Sequence, residues 1–366
     1  MAGNSPELRT PLLACLLVLL GAQAVLAQDP QARPARLAID TSASLDESVD
    51  ANGNYATGII LDSVVSISIG GGFEGIVRPF VQRNANTGEW NRQIWIATLR
   101  YERPGPVALR LDAGLIPSPI GLANLTLRPH LNPVISQPAS LFTALPPLVP
   151  RGPRANLIGA VYPYGAMATV SGRHWDARVA VIDTSPLRVR RIFAQTNPPR
   201  FANVVVGAGV TPFVGFHLGA SMTRGGWLRA GTRPGGTPGV LADHDATVVA
   251  IESELSFRYT KLAGEWVRDT AGTDTGNRVA SGWFIHGQQT LTPRWFLGGR
   301  VEHMSSPAVL LSDVLPQRFN GVEEVLGYRL TPDITLRVGH RARQGFGRPG
   351  YDHQAAASIV WWKRWK

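Results

Sequence analysis

The chain has 366 residues, a formal net charge of +10 and one cysteine, Cys15. This length suffices for a large core or for one closed barrel. A single cysteine excludes a disulfide-stabilised fold. The arginines are spread along the whole chain and do not form one basic patch, so we expect no nucleic-acid partner.

The first predicted element is the short apolar segment PLLACLLVLLGAQAVLA at 11–27, which contains Cys15. It ends in small residues before a polar stretch, as a secretory signal peptide cleaved after Ala27 does. The segment is too short for a membrane-spanning helix. We therefore expect an exported chain with a signal peptide at 1–27, a periplasmic lead-in at 28–34 and a single domain at 35–366.

The rest of the chain consists of alternating apolar and polar segments of about ten residues, separated by Gly, Pro, Asn and Asp, a pattern typical of β-strands. We predict strands leaving short turns at 35–44, 73–84, 106–116, 175–183, 213–225, 261–270, 294–305 and 333–343. The returning strands are predicted at 55–68, 89–102, 161–172, 201–211, 244–259, 278–291, 318–330 and 352–365. The total is about sixteen, and the ambiguous division of 155–184 leaves fourteen or eighteen open.

The predicted strands have one aliphatic and one polar face. In LTPDITLRVGHRAR (330–343), Ile334 and Leu336 lie on one face, opposite Arg337 and Arg341. Two arrangements fit this alternation: a soluble sandwich with aliphatics inside, or a membrane barrel with aliphatics facing lipid. The barrel is favoured because the apolar faces rarely carry charge and because closure removes both sheet edges. Aromatic residues also gather beside the short turns, as in an interfacial girdle: Tyr101, Trp175, Tyr259, Trp295, Tyr328 and Trp365.

On these features the chain resembles the Gram-negative outer-membrane porins over nearly its whole mature length. The resemblance rests on the signal peptide, the absence of cysteine after residue 27, the short turns such as LTPRW, the long loops such as GTRPGGTPGVLADH and the last strand, SIVWWKRWK. It implies an all-β transmembrane antiparallel barrel in the outer membrane that passes small hydrophilic solutes by diffusion. It also implies contact with outer-membrane lipid and lipopolysaccharide, and a homotrimer as one state of assembly.

The long segment 117–160 follows the fifth predicted strand, where porins of this size place a loop that folds inward and narrows the channel. A connection of this length is uncommon without a function. It contains no Asp or Glu, and its basic residues are Arg128, His130, Arg151 and Arg154. We predict that they form an anion-favouring constriction. An alternative is that the arginines pair with wall carboxylates such as Glu74, Asp112 or Glu252.

Strand parity places further charged side chains on the inner wall of the predicted pore. The arginines are Arg78, Arg100, Arg110, Arg178, Arg258, Arg300, Arg337 and Arg341; the carboxylates are Glu74, Asp112, Glu252 and Glu254. Arginine rings attract anions because a low-dielectric wall concentrates their field. The sequence therefore predicts an anion-favouring channel, whereas cation selectivity would mean that the carboxylates dominate.

Other motifs carry little chemistry. GGGFEG at 70–75 matches a dinucleotide-binding pattern, but it lies between two strands and predicts a turn. The eight histidines lack metal-ligand spacing, and we expect no metal and no cofactor. No GxSxG motif occurs, and we expect no enzyme. The alternatives are a receptor or adhesin whose lumen is plugged by 117–160, a barrel enzyme in which a serine meets His217 or His286, and a soluble periplasmic β-protein.

Overall fold

The computed structural model describes residues 36–85, 87–122, 127–149, 153, 155–158, 162–188, 200–232, 240–310 and 313–365. The predicted signal peptide and periplasmic lead-in lie outside these ranges. Within the described ranges, no helix is long and apolar enough to cross a membrane.

Sixteen antiparallel strands form one closed barrel. They are β1 Arg36–Asp50, β2 Tyr55–Gly70, β3 Phe73–Arg83, β4 Trp90–Arg103, β5 Ala108–Leu115, β6 Tyr164–Ser171, β7 Trp175–Ile182, β8 Asn203–Phe213, β9 Phe216–Leu228, β10 His244–Phe257, β11 Thr260–Ala271, β12 Arg278–Thr290, β13 Trp295–Leu310, β14 Asp313–Arg329, β15 Ile334–Gln344 and β16 Asp352–Trp365. Each strand pairs with its neighbours in sequence, and β1 pairs with β16 to close the sheet. The predicted fold class and strand count are confirmed, and the ambiguous region contributes β6 and β7.

The β2–β3 turn shows why GGGFEG contains three consecutive glycines. Gly70, Gly71 and Gly72 have φ angles of 103°, 59° and 85°, a region that other residues rarely adopt. A Cβ on Gly72 would also lie 2.5 Å from the carbonyl oxygen of Glu102. The prediction of a turn at this motif is confirmed.

One predicted wall residue, Arg258, is not on the wall. β10 ends at Phe257 and β11 begins at Thr260, so Arg258 lies in the connecting turn. Its φ is 51°, and its guanidinium lies 5.2 Å from the centre of the Phe257 ring. The prediction was wrong because it extended the period-2 alternation past the end of the strand.

The outer wall of the barrel is mainly aliphatic. Ile251, Val301 and Val338 are about half exposed on it, whereas their strand neighbours Glu252, Arg300 and Arg337 are buried inside. Of the aromatic side chains predicted for the girdle, Trp175, Tyr259, Trp295 and Trp365 are exposed, and Tyr101 and Tyr328 are half-buried. Apolar residues facing outward and charged residues facing inward suit a barrel surrounded by hydrocarbon.

The apolar core lies inside the barrel. The segment 116–163 between β5 and β6 is here called the inner loop. Its described residues fold into the lumen and include the short helix α1, Ala139–Phe142. Although Leu131 is exposed, most of the large described aliphatic side chains of the loop are buried, including Ile116, Leu141 and Leu157. They share one cluster with inner-wall residues such as Val248 and Phe284. The predicted inward-folding loop after the fifth strand is therefore present.

Candidate functional site

Wall carboxylates hold the inner loop in the lumen. Glu323 accepts hydrogen bonds from the backbone N–H groups of Ile135 (3.0 Å) and Ser136 (2.9 Å). Glu302 accepts one from the N–H of Ala139 at 2.8 Å. Buried backbone N–H groups of an irregular segment need such partners. These carboxylates therefore serve the loop, and they are not available to a solute.

Arg300 lies beneath the same part of the loop. It donates hydrogen bonds to the carbonyl oxygens of Ser136 (2.9 Å) and Gln137 (3.1 Å) and to Glu323 (3.1 Å). Its side chain is 1% exposed. Strand parity correctly placed Arg300 on the inner wall, but the loop separates it from solvent in the lumen.

Two further arginines of β15 bind the loop. Arg337 donates to the carbonyl oxygens of Val134 (3.0 Å) and Pro129 (2.9 Å). Arg343 donates to the hydroxyl of Ser136 at 2.8 Å. Arg341, between them on the same face, bonds Gln354. We call Arg300, Arg337, Arg343, Glu302 and Glu323 the loop anchors.

The start of the inner loop binds the wall near the chain termini. Arg128 donates to the Oδ1 of Asp40 at 2.7 Å, and His130 stacks on Trp362 with ring centres 5.1 Å apart. Burial, assisted by the nearby Arg128 charge, lowers the pKa of His130 to about 4. His130 is therefore neutral at pH 7 and adds no positive charge to a constriction.

The structure describes only some of the arginines predicted for the constriction. The alternative of pairing with a wall carboxylate holds for Arg128, whose partners are Asp40 and, at 3.9 Å, Asp62, and not Glu74, Asp112 or Glu252. Arg151 and Arg154 lie outside the described residues.

Arg78 on β3 clamps the far end of the loop. Its Nε donates to Asp62 at 2.9 Å, and its Nη1 donates to the hydroxyl of Tyr162 at 3.2 Å. The guanidinium also lies 5.0 Å from the centre of the Trp95 ring. Arg78 is on the predicted inner wall, but it is buried there.

A different group of charges lies on β4, β5, β7 and β10, and its arginines remain partly exposed. We call Arg100, Arg110, Asp112, Arg178 and Glu252 the lumenal strip. Asp112 bonds Arg100 at 2.8 Å and lies 3.1 Å from Arg110, and Arg178 donates to Glu252 at 2.9 Å.

In each pair of the lumenal strip the cation is the exposed partner. The Arg110 side chain is 39% exposed and that of Asp112 is 0% exposed. For Arg178 and Glu252 the values are 20% and 2%. The surface of the strip is therefore mainly guanidinium, although the number of charges nearly balances.

Inner-wall glycines make room for the strip. Arg178 on β7 reaches Glu252 on β10 across β8 and β9, and the inward positions there include Gly207, Gly209 and Gly219. A Cβ on Gly207 would lie 2.8 Å from Arg178 Nε, and one on Gly219 would lie 2.9 Å from Glu252 Oε1. Any side chain at these positions would displace the ion pair.

The remaining predicted residues take no part in either group. Glu74 and Glu254 lie on inward strand positions, half-buried, and have no ion pair within the described ranges. His217 lies 3.3 Å from Asp176, and His286 is buried beside Phe284. Neither histidine hydrogen-bonds a serine among the residues that the structure describes.

Four residues that contact the inner loop were not among the predicted site residues. Glu265, Glu302, Glu323 and Arg343 all contact the inner loop, and Glu265 accepts the backbone N–H of Leu122. Parity alone would have put them on the inner wall. Gly207 and Gly209 in VVVGAGV are two residues apart, so the sequence also indicates that one face of this strand lacks side chains there.

No protein-family model and no curated protein matches the chain. Solved structures do resemble it. OmpT of Vibrio cholerae, folded in vitro and in its trimer form, aligns with a TM-score of 0.55 and 6% identity over 90% of this chain and 100% of its own. OprB of Pseudomonas putida aligns at 0.59 and 9% over 90% and 94%. An anion-selective porin from Comamonas acidovorans aligns at 0.52 and 12% over 90% and 99%. The chain therefore has the fold of a porin-like outer-membrane β-barrel.

Proposed function

We propose that the protein is an outer-membrane channel through which small hydrophilic solutes diffuse passively. The observation that carries the proposal is the lumenal strip, a charged surface on the inner wall that the loop anchors leave uncovered. A barrel wall with exposed guanidinium groups is wetted, whereas a wall built only for packing would be apolar. The aliphatic outer wall supports contact with outer-membrane lipid and lipopolysaccharide.

The channel favours anions. The anion preference is supported by two ion pairs, Arg110 with Asp112 and Arg178 with Glu252. In each pair the arginine side chain is more exposed than the carboxylate, so a solute approaches the cation more closely. The similar barrel from Comamonas acidovorans is described as an anion-selective porin. The proposal includes Arg151 and Arg154 of the inner loop as further positive charges of the constriction.

The protein acts without chemical catalysis and assembles as a homotrimer. The support for the absence of catalysis is that neither His217 nor His286 hydrogen-bonds a serine among the residues that the structure describes. For assembly, the similar barrel from Vibrio cholerae forms a trimer. A soluble periplasmic protein is disfavoured because side chains such as Ile251 and Val301 would face water; membrane fractionation without detergent tests this.

Reconstitution in a planar bilayer tests the channel. We expect steady ohmic steps and, across a KCl gradient, a reversal potential of anion-selective sign. Cation selectivity would contradict the anion preference and would mean that the carboxylates dominate. Absence of steps from folded protein would contradict the channel itself.

Two sets of substitutions locate the selectivity. Arg110→Gln with Arg178→Gln should move the reversal potential toward cations. Arg128→Ala with Arg151→Ala and Arg154→Ala tests the inner loop in the same assay. A shift only in the second set would place selectivity in the loop and not in the lumenal strip.

One observation favours a second function, that of a closed receptor or adhesin. The inner loop buries Ile116, Leu141 and Leu157 in an apolar core that includes side chains from many strands. A lumen filled in this way would block solutes. Folded protein that binds the membrane but shows no conductance would support this second function.

A further inference from the structure

The two ends of the barrel differ in charge. Around the long loops, exposed carboxylates and arginines are mixed, among them Glu89, Asp243, Asp274, Arg92 and Arg229. The short turns at the other end present exposed arginines, one in or beside each of four turns. We call them the rim arginines: Arg103, Arg173, Arg258 and Arg294. The short-turn end of the barrel is therefore the more basic one.

The rim arginines have no carboxylate partner among the residues that the structure describes. Two carboxylates at the same end are already paired, since Glu102 lies 3.8 Å from Arg100 and Asp333 lies 2.6 Å from Lys363. A group of uncompensated cations at one end of a membrane barrel attracts anions from outside the chain.

Two of the rim arginines lie against aromatic side chains of the outer wall. Arg294 Nη1 donates to the hydroxyl of Tyr328 at 3.2 Å, and the Tyr328 ring lies 4.7 Å from the Trp295 ring, centre to centre. The Arg258 guanidinium lies 5.2 Å from the centre of the exposed Phe257 ring. These contacts place both guanidinium groups at the outer edge of the barrel and not at the mouth of the lumen.

The other two rim arginines are also close to aromatic residues in sequence. Arg103 is two positions after Tyr101 near the end of β4, and Arg173 is two positions before Trp175, where β7 begins. Tyrosine and tryptophan in such barrels mark the boundary between hydrocarbon and lipid headgroups. An arginine beside this boundary extends its charged end toward water. The rim arginines therefore lie at the height of the lipid phosphates.

The chemistry of the guanidinium group indicates which lipid fits. Its planar fork donates two parallel hydrogen bonds to one phosphate. An anionic headgroup neutralises the uncompensated charge, whereas a zwitterionic headgroup brings its own ammonium group. Barrels of this fold place their short turns on the periplasmic side of the outer membrane, and the leaflet on that side consists of phospholipid.

We propose that the rim arginines bind anionic phospholipid of the periplasmic leaflet. The phosphate groups lie at Arg258 and Arg294, and the acyl chains lie along the outer wall beside Phe257 and Trp295. This binding recognises headgroup charge, which the contact of the aliphatic wall with lipid does not. The inference does not depend on solute passage through the lumen.

Two matched sets of substitutions test the proposal. The rim variant combines four changes at the short turns: Arg103→Gln, Arg173→Gln, Arg258→Gln and Arg294→Gln. The control variant removes the same charge at the long-loop end: Arg92→Gln, Arg200→Gln, Arg229→Gln and Arg348→Gln. Each detergent-solubilised protein is titrated with phosphatidylglycerol or with phosphatidylcholine of the same acyl chains. Native mass spectrometry counts the bound lipids, and circular dichroism verifies the β content.

We expect wild type and the control variant to bind phosphatidylglycerol at least about tenfold more tightly than phosphatidylcholine. The rim variant should lose this preference. If the rim variant does not fold, Arg294→Gln alone is compared with Arg92→Gln, and only Arg294→Gln should weaken phosphatidylglycerol binding, by about fivefold.

Three results would overturn the proposal. They are equal affinities of wild type for the two lipids, an unchanged preference in the rim variant, and an equal loss in both variants, which would show that net charge and not position matters. Retention of wild type on purified peptidoglycan without a lipid preference would assign the rim arginines to a different partner and would also overturn it. Conductance is recorded separately on the same samples, so failure of the channel is distinguishable.

Discussion

The loop anchors and the lumenal strip use the same kind of ion pair for different ends. Arg300 and Arg178 are both inward arginines on barrel strands, and each lies within about 3 Å of a glutamate. Arg300 is covered by the inner loop and satisfies loop carbonyl groups. Arg178 lies over the inner-wall glycines Gly207 and Gly219, and its side chain remains partly exposed.

This contrast shows that the inner loop determines which charges of the inner wall are buried and which are exposed to the lumen. A buried arginine and its carboxylate help to fix the position of the loop, because removal of either group would leave the other as an unpaired buried charge. An exposed arginine contributes field to the lumen. Counting inward arginines therefore overestimates the charge that a solute meets.

The largest effect is expected from Arg300→Ala. It removes the partner of Glu323 and two hydrogen bonds to loop carbonyls, and loss of one member of a buried pair costs about 3–5 kcal/mol. We expect a correspondingly lower free energy of unfolding in urea with lipid vesicles. Conductance should also become noisier as the loop loosens.

The matched control, Arg110→Gln, should lower the free energy of unfolding by less than about 1 kcal/mol, because Arg110 is partly exposed and Asp112 keeps Arg100. Equal losses would contradict the distinction between the two regions.

The next largest effect is expected at the inner-wall glycines of β8 and β9, which include Gly207. Gly207→Leu would place a side chain against Arg178 and into the lumen, so we expect single-channel conductance to fall about twofold or more, as pore dimensions and lining set conduction. Ala208→Leu, on the adjacent outward position, serves as the control and should leave conductance unchanged. An unaltered conductance in Gly207→Leu would show that solutes do not pass the lumenal strip.

A smaller change is expected from removing one exposed charge. Arg110→Gln should shift the reversal potential a few millivolts toward cations. The free energy of unfolding should fall by less than about 1 kcal/mol, because the guanidinium is partly exposed and Asp112 keeps Arg100. Arg337→Gln is the comparison among the loop anchors. It should affect stability more than selectivity, and the opposite order would exchange the roles of the two regions.

The smallest effect is a pH dependence at His130. Burial holds its pKa near 4 in the folded protein, below the value of about 6.5 in an unfolded chain. Between these values the unfolded state binds more protons, so the free energy of unfolding falls as pH decreases from about 6.5 to about 4. His130→Gln should remove this component when urea unfolding is compared at pH 7 and pH 4.5. An identical pH dependence in both proteins would exclude a buried neutral His130.

The strands and their faces were predictable from sequence. Alternation such as Ile334, Leu336 and Val338 against Arg337 and Arg341 is local, and the barrel pattern follows once the aliphatic side is taken to face lipid. Arg258 was misplaced because the alternation continues one residue beyond the strand. The contact between His340 and His353 was not predicted because the two histidines lie on different strands, and only the pairing of β15 with β16 brings them together.

The sequence by itself determined an all-β chain of about sixteen strands with aliphatics on one side and arginines on the other, since side-chain direction in a strand depends only on its neighbours. Only the tertiary structure decided which arginines meet the lumen. That decision depends on where a loop of about fifty residues runs, and its path is fixed by contacts with Glu302, Glu323 and Arg337, which are more than a hundred residues away in the chain.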